Sequence, residues 1–189
     1  VNTIENYPYP YVIGKLCWQF PCMVPSDWEA QNLHQPNNPV TVADMKSALD
    51  ATVIKKGMFN LVFHPHGWLR NDQVIELIDY AHAKYGKRVK FLTFKDCIDR
   101  INHNLLLDQP LRSPADGGDN GVRILDVDNN GFLDVLIGNE QTRTMRVWQS
   151  GHQKWLDVKH EIQFTSGDAQ HRLDHGIQIG QFTPQSTLS

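Results

Sequence analysis

Read for hydrophobic period, the chain changes character twice. Residues 1–39 hold no sustained period. Pro, Asn and aromatic residues dominate there, and one short apolar run over 11–18 predicts a strand within a long ordered loop. From Thr41 onward Val42, Met45, Leu49, Val53 and Ile54 recur at helical spacing, with Thr41 and Asp44 as the cap pair and Gly57 as the stop. Residues 59–63 then form an apolar run that predicts a buried strand. A second helical pattern starts from a cap at Asn71 or Asp72 and passes through Val74, Leu77, Ile78 and Ala81 to close at Gly86. Residues 89–94 predict another strand, and 95–107 a third helix. Helix alternating with strand is the rhythm of a parallel sheet or barrel, so this part is expected to be α/β.

Past a stretch rich in Pro and Gly, residues 108–120, the period becomes that of strands. Residues 122–125 and 135–137 flank an acidic turn. Residues 142–149 alternate, with Met145, Val147 and Trp148 as inward positions, and Trp155 fits a closing strand. The residues after Asp157 are polar and show no pattern. A change of domain is therefore expected near residue 115.

Composition narrows the function classes. The chain has 189 residues, 40% hydrophobic and 21% charged, with a formal net charge of −3. Its 18 Lys and Arg are scattered rather than gathered on a stripe, which argues against a nucleic-acid partner. No apolar run reaches the length needed to span a bilayer. The chain opens at Val1, and residues 182–186 trail off without closing an element, so a fragment of a longer protein is expected. Three cysteines, Cys17, Cys22 and Cys97, do not make a disulfide framework. Cys17 and Cys22 flank an apolar turn and either pair or remain buried free thiols.

In the first half, His64-Pro65-His66-Gly67-Trp68 follows an apolar run and would sit at the C-terminal end of a strand, where α/β proteins gather ligands and catalytic groups. An imidazole there is suited to general acid work, because its ordinary pKa lies near neutrality. The alternative is a pair of loop histidines bonded to backbone. The stretch LVFHPHGWLRNDQVIELIDYAHAKYGKRVKFLTFKD, with VPSDWEA upstream, resembles the closing portion of NodB-type polysaccharide deacetylases over roughly residues 10–107. That resemblance implies the C-terminal part of a (β/α) barrel acting on N-acetylated carbohydrate. It implies catalytic roles for His64, as the acid that protonates the leaving amine, and for Asp27, with Trp28 walling the acetyl-binding groove. His66 and Trp68, in the same cluster, are candidate substrate contacts outside the family pattern, and His66 either touches substrate or lines the loop. The family's second aspartate, three residues before the Asp-Trp pair, falls here at Val24. Its upstream metal ligands, an aspartate pair and an HxxxH pair, have no counterpart before Tyr11. A catalytic Zn2+-type ion is thus expected only in a full-length protein, and this chain is expected to be inactive by itself. The spacing His171-x-x-x-His175 has the right interval for metal ligands on a helix, but it lies in the polar tail.

In the second half, Asp126-Val127-Asp128-Asn129-Asn130-Gly131-Phe132-Leu133-Asp134 places oxygen side chains at alternate positions, with a glycine for the sharp turn. Asp126, Asp128, Asn130 and Asp134, with the carbonyl of Phe132, are the expected Ca2+ ligands; an Asx-rich turn without metal is the plain alternative. No Glu follows at the twelfth position and the flanks are strands, so an EF-hand is excluded. The stretch GVRILDVDNNGFLDVLIGNE is similar to an FG-GAP or VCBS repeat, which implies a propeller-blade module, a structural calcium ion and a location outside the cytoplasm, secreted or at the cell envelope. The expected organisation is a partial deacetylase domain over 1–110, a linker over 111–118 and an FG-GAP-like β module over 119–189. The apolar face of Val122, Ile124, Val135 and Ile137 needs a cover. The barrel half, another subunit or further segments of the same protein would provide it. Two functions are carried forward: a metal-dependent carbohydrate deacetylase fragment, and a calcium-dependent binding or adhesion module.

Overall fold

A computed structural model describes residues 8–65, 67–168 and 170–179. The chain divides into two compact units. One takes Val1–Tyr11 and Trp18–Phe91, the other Val12–Cys17 and Leu92–Ser189. The single strand expected over 11–18 is instead a hairpin, β1 (Tyr11–Ile13) and β2 (Cys17–Gln19). Gly14 and Lys15 both take positive φ, the backbone that a tight two-residue turn requires. All three cysteines are free, so Cys17 and Cys22 do not pair, and Cys17 is exposed rather than buried.

The first unit is built on helices. After the short α1 (Asp27–Glu29) and a π-helical turn at Ala30–His34 comes α2 (Pro39–Lys55). Asn38 caps α2 by accepting from the Val40 N–H at 3.0 Å, with Pro39 at the first helical position. Thr41, read from the sequence as the cap, is instead buried inside the first turn. Asn38-Pro39 is the stronger start because proline brings its own helical φ. The helix ends with Lys56 in the left-handed conformation. Gly57 follows it, and a Cβ there would lie 2.7 Å from the carbonyl oxygen of Pro8. α3 (Asn71–Tyr85) begins one residue after its cap, Arg70, whose N–H is accepted by Gln73 Oε1 at 3.0 Å. Gln73 is itself buried and donates to the Asn38 carbonyl, tying the starts of α2 and α3 together. Met45, Leu49, Leu69, Leu77 and Ala81 form the core between them, joined by Phe59, Leu61 and Val89. Ile54 and Ile78 are exposed, so the helical period overreached by one position on each helix.

The two strands expected over 59–63 and 89–94 do not enter a sheet, and no barrel closes among the described residues. A parallel strand becomes a strand only when a lateral neighbour pairs its backbone. Here the Asn60 and Val62 carbonyls accept from Met23 and Asp27, and no further strand flanks them among the described residues.

The second unit opens with α4 (Phe94–Asn104), capped reciprocally by Thr93 and Asp96. β3 (Val122–Leu125), β4 (Asp134–Gly138), β5 (Arg143–Gln149) and β6 (Lys154–Lys159) then run as an antiparallel meander in chain order. Two short strands, β7 (Thr165–Ser166) and β8 (Leu173–Asp174), pair with each other. Val122, Val135 and Ile137 are buried in this unit together with Leu106, Leu111 and Phe164. The inward positions on β5 differ from expectation. Trp148 shares a face with Arg146, opposite to Met145 and Val147, and Arg146 is the buried residue of the strand. Its guanidinium bonds Asp157 at 2.8 Å and the Leu105 and Asn104 carbonyls at 2.8 and 3.1 Å, closing the chain just past α4. Trp148 and Trp155 are cross-strand partners with ring centroids 5.0 Å apart. Among the described residues, no helix is long and apolar enough to cross a membrane.

Candidate functional site

Two clusters of charged side chains stand out, one in each unit. In the first unit, Ser26 accepts from the Trp28 N–H while Glu29 Oε2 takes the Ser26 N–H at 2.7 Å, a capping box around Asp27. The Ser-x-x-Glu spacing that builds it is visible in the sequence and was not read there. The segment containing Asp27 lies beside 60–64, bonded through Met23 to Asn60 and through Asp27 to Val62. This brings the Asp27 carboxylate, fully buried, against His64. Oδ2 accepts the backbone N–H of His64, and the ring Nδ1 lies 3.1 Å from Oδ2 and 3.2 Å from Oδ1. One carboxylate thus fixes both the position of the residue and the orientation of its ring.

The imidazole is about half exposed. The indole of Trp68 meets it edge-on, with centroids 5.3 Å apart. Trp28 projects from α1 with its side chain largely exposed. Cys22, which the sequence marked only as a candidate partner of Cys17, is close enough to feel this charge. Burial pushes its thiol up, and the charges of Glu29 and Asp27 add to that, against a bond with the Val62 backbone. His66 lies outside the described residues.

In the second unit the acidic turn between β3 and β4 brings the ligand oxygens of Asp126, Asp128 and Asp134 within 4.8 Å of one another. Asn129 and Gly131 take positive φ, and Asx-type bonds shape the turn. Asp126 accepts from Asn130 and Gly131, and Asn130 Oδ1 accepts from Phe132. Asp134 is fully buried, and its two oxygens accept the N–H of Val127 at 2.9 Å and of Trp148 at 2.8 Å. Burial holds its carboxyl above the ordinary range, the neighbouring Asp128 and Asp126 charges add to the rise, and the two N–H bonds oppose it. No Lys or Arg forms an ion pair with any of the three among the described residues. Among those residues it is also the one group of three or more metal-ligating side chains placed to share a cation. The N–H of Trp148 comes from outside the motif, 14 residues from Asp134, and no local pattern marks it.

His171 and His175 do not form a helical pair. β8 runs between them, His171 bonds Asp168, and His175 Nε2 lies 2.9 Å from Ser166 Oγ. Comparison of this chain with protein-family models, with curated proteins and with solved structures found no match.

Proposed function

We propose that Asp27 and His64 are the acid–base side of a hydrolytic site for the acetamido group of N-acetylated carbohydrate, the activity that the resemblance implies. The observation that carries the reading is the buried Asp27 carboxylate held against both the backbone N–H and the ring Nδ1 of His64. A carboxylate on Nδ1 sets the tautomer, making Nε2 the atom that exchanges a proton, and it stabilises the imidazolium once formed. His64 would then deliver that proton to the departing amine, while Trp28 and Trp68 offer flat apolar surface to a sugar ring. Asp27 acts through His64 and is a positioning residue.

The described residues around His64 do not fit a catalytic divalent metal. No set of three ligating side chains forms there, and Asp27 already serves His64. No step is therefore routed through a metal here, and this chain alone is expected to bind substrate without turning it over. The test is an NMR titration with triacetylchitotriose. The reading expects shifts at the His64 imidazole and at the Trp28 and Trp68 indoles, lost in His64→Ala and Trp68→Ala. Silence at all three rings up to about 10 mM, ten times a Kd of about 1 mM, would remove it.

A second reading, a calcium-dependent extracellular binding module, rests on the second unit. The donor set fits a hard cation: Asp126, Asp128 and Asp134 would hold Ca2+, with Asn130 and the Phe132 carbonyl completing the oxygen shell. The ion would neutralise the mutual repulsion of three carboxylates and clip the β3–β4 turn, and a site of this kind suits compartments rich in calcium. Calorimetry with Ca2+ on the wild-type chain and on Asp126→Asn decides this reading, since heat that persists unchanged in the variant would refute it.

A further inference from the structure

The second unit holds a polar crevice of about 280 Å3 that neither reading uses, lined in part by Asp108, Gln109, Pro110, Pro114, Asn120 and Gln141. Two of its carboxamides, Gln109 and Asn120, are tied to a buried hub, Asn139. Asn139 Oδ1 accepts the N–H groups of Gln141 and Thr142 at 3.0 and 2.8 Å. Backbone N–H groups only donate, so the other end of that amide must be its NH2. That NH2 reaches Gln109 Oε1 and the Asn120 carbonyl, each at 3.0 Å. The Gln109 amide oxygen is thereby committed to Asn139, which leaves its own NH2 as the group to offer a ligand. Asn120 is fixed from its other side, with Nδ2 donating to the Pro110 carbonyl at 2.9 Å.

The backbone at the mouth is also unusual. Leu107 and Asp108 are consecutive residues with positive φ, 53° and 59°, a conformation that side-chain-bearing residues reach only at a cost and that gathers at ligand sites.

From these features we propose that the crevice is a binding subsite for one ring of a neutral, polyhydroxylated ligand, a saccharide residue. The lining carries no Lys or Arg, which disfavours an anion, and its single carboxylate, Asp108, already bonds His103 at 3.0 Å. The oriented Gln109 and Asn120 carboxamides give a donor and an acceptor at fixed positions, the pattern that vicinal hydroxyls match, and pre-fixing them lowers the entropy lost on binding. The Pro110 and Pro114 rings supply apolar surface for the C–H faces of a sugar. The volume lies just below the roughly 300–1,000 Å3 of sites for drug-sized molecules, a size that suits a single ring. This subsite does not depend on the chemistry proposed for Asp27 and His64.

The whole chain, 15N-labelled, would be titrated with triacetylchitotriose, with maltotriose and with trialanine as a neutral peptide. Shifts of the Gln109, Asn120 and Gln141 side-chain amides with either sugar are expected. Gln109→Leu and the exposed Gln141→Ala should each weaken binding, read at the remaining crevice amides, about threefold to tenfold, the worth of one hydrogen bond. Amide shifts with neither sugar, shifts with the peptide alone, or sugar affinity untouched in both crevice variants would each overturn the proposal.

Discussion

Asp27 and Asp134 are both fully buried carboxylates that accept two hydrogen bonds, yet their surroundings differ in one respect. Asp27 faces an imidazole, a partner that can itself become a cation. Asp134 faces backbone N–H groups and two more carboxylates, Asp126 and Asp128. The Asp27 cluster therefore carries its own conditional counter-charge, whereas no Lys or Arg among the described residues pairs with the three carboxylates around Asp134. A buried aspartate is thus not informative by itself; the sign of what stands opposite it separates a positioning role from a cation-binding one.

The comparison breaks most visibly at Asp134. Asp134→Ala would strand the N–H groups of Val127 and Trp148, each buried orphan donor costing about 1–3 kcal/mol. We expect the second unit to lose about 2–5 kcal/mol in urea unfolding in chelator, and more in calcium, where the variant also forgoes the stabilisation by the ion. If the loss appeared only with calcium present, Asp134 would be a ligand and nothing more. The next effect belongs to the ion. Calcium at one hundred times its Kd should stabilise the wild-type chain by about 2.7 kcal/mol. Asp126→Asn and Asp128→Asn should abolish that increment while leaving the calcium-free midpoint unchanged or slightly higher, because each removes one repelling charge.

What the sequence made legible follows the same division. Motifs closed within a few residues were readable: the spacing of Asp126, Asp128 and Asp134, and the periods of α2 and α3. What depended on distant chain was not. The run 59–63 reads as a strand by composition, but a strand needs a lateral neighbour, and composition cannot supply one. Arg146 looks like a surface residue of an alternating strand, and it is buried because the Asn104 and Leu105 carbonyls converge on it from 42 and 41 residues away. The contact of Asp27 with His64 spans 37 residues, and the family resemblance gave the two residues catalytic roles without placing them against each other. The hub at Asn139 left no trace in the sequence, since an Asn after a strand reads first as a turn residue.

At Asp27 the expected change is smaller than at Asp134, because His64 stands at a half-exposed edge where water can replace a lost partner. Asp27→Ala should cost about 1.5–3 kcal/mol, the range for a hydrogen bond to a charged group. Its sharper readout is the ring. 15N NMR of the wild type should show the Nδ1–H tautomer of neutral His64, and the variant a mixture of both tautomers. A ring already mixed in the wild type would mean that Asp27 holds the backbone of His64 and not its imidazole.

The smallest effect concerns Asp116, a carboxylate whose cation is supplied inside the same unit. Arg172 bonds it through Nε and Nη2 at 2.8 and 2.9 Å. That guanidinium, helped by the Gly118 N–H, holds the Asp116 carboxyl at about 2, below its ordinary 3.8. A carboxyl lowered by folding binds its proton more weakly in the native state, so it contributes stability above pH 3.8 that disappears as the pH falls towards 2. Asp134 has the opposite sign, since burial lifts its pKa and its charged form weighs against the fold. Acid titration of the unfolding midpoint should therefore flatten between pH 4 and 2 in Asp116→Asn relative to wild type, by an amount limited by solvent screening. An unchanged slope would show that Arg172 answers the Asp119 carbonyl, 2.9 Å from its Nη1, more than it answers the Asp116 charge.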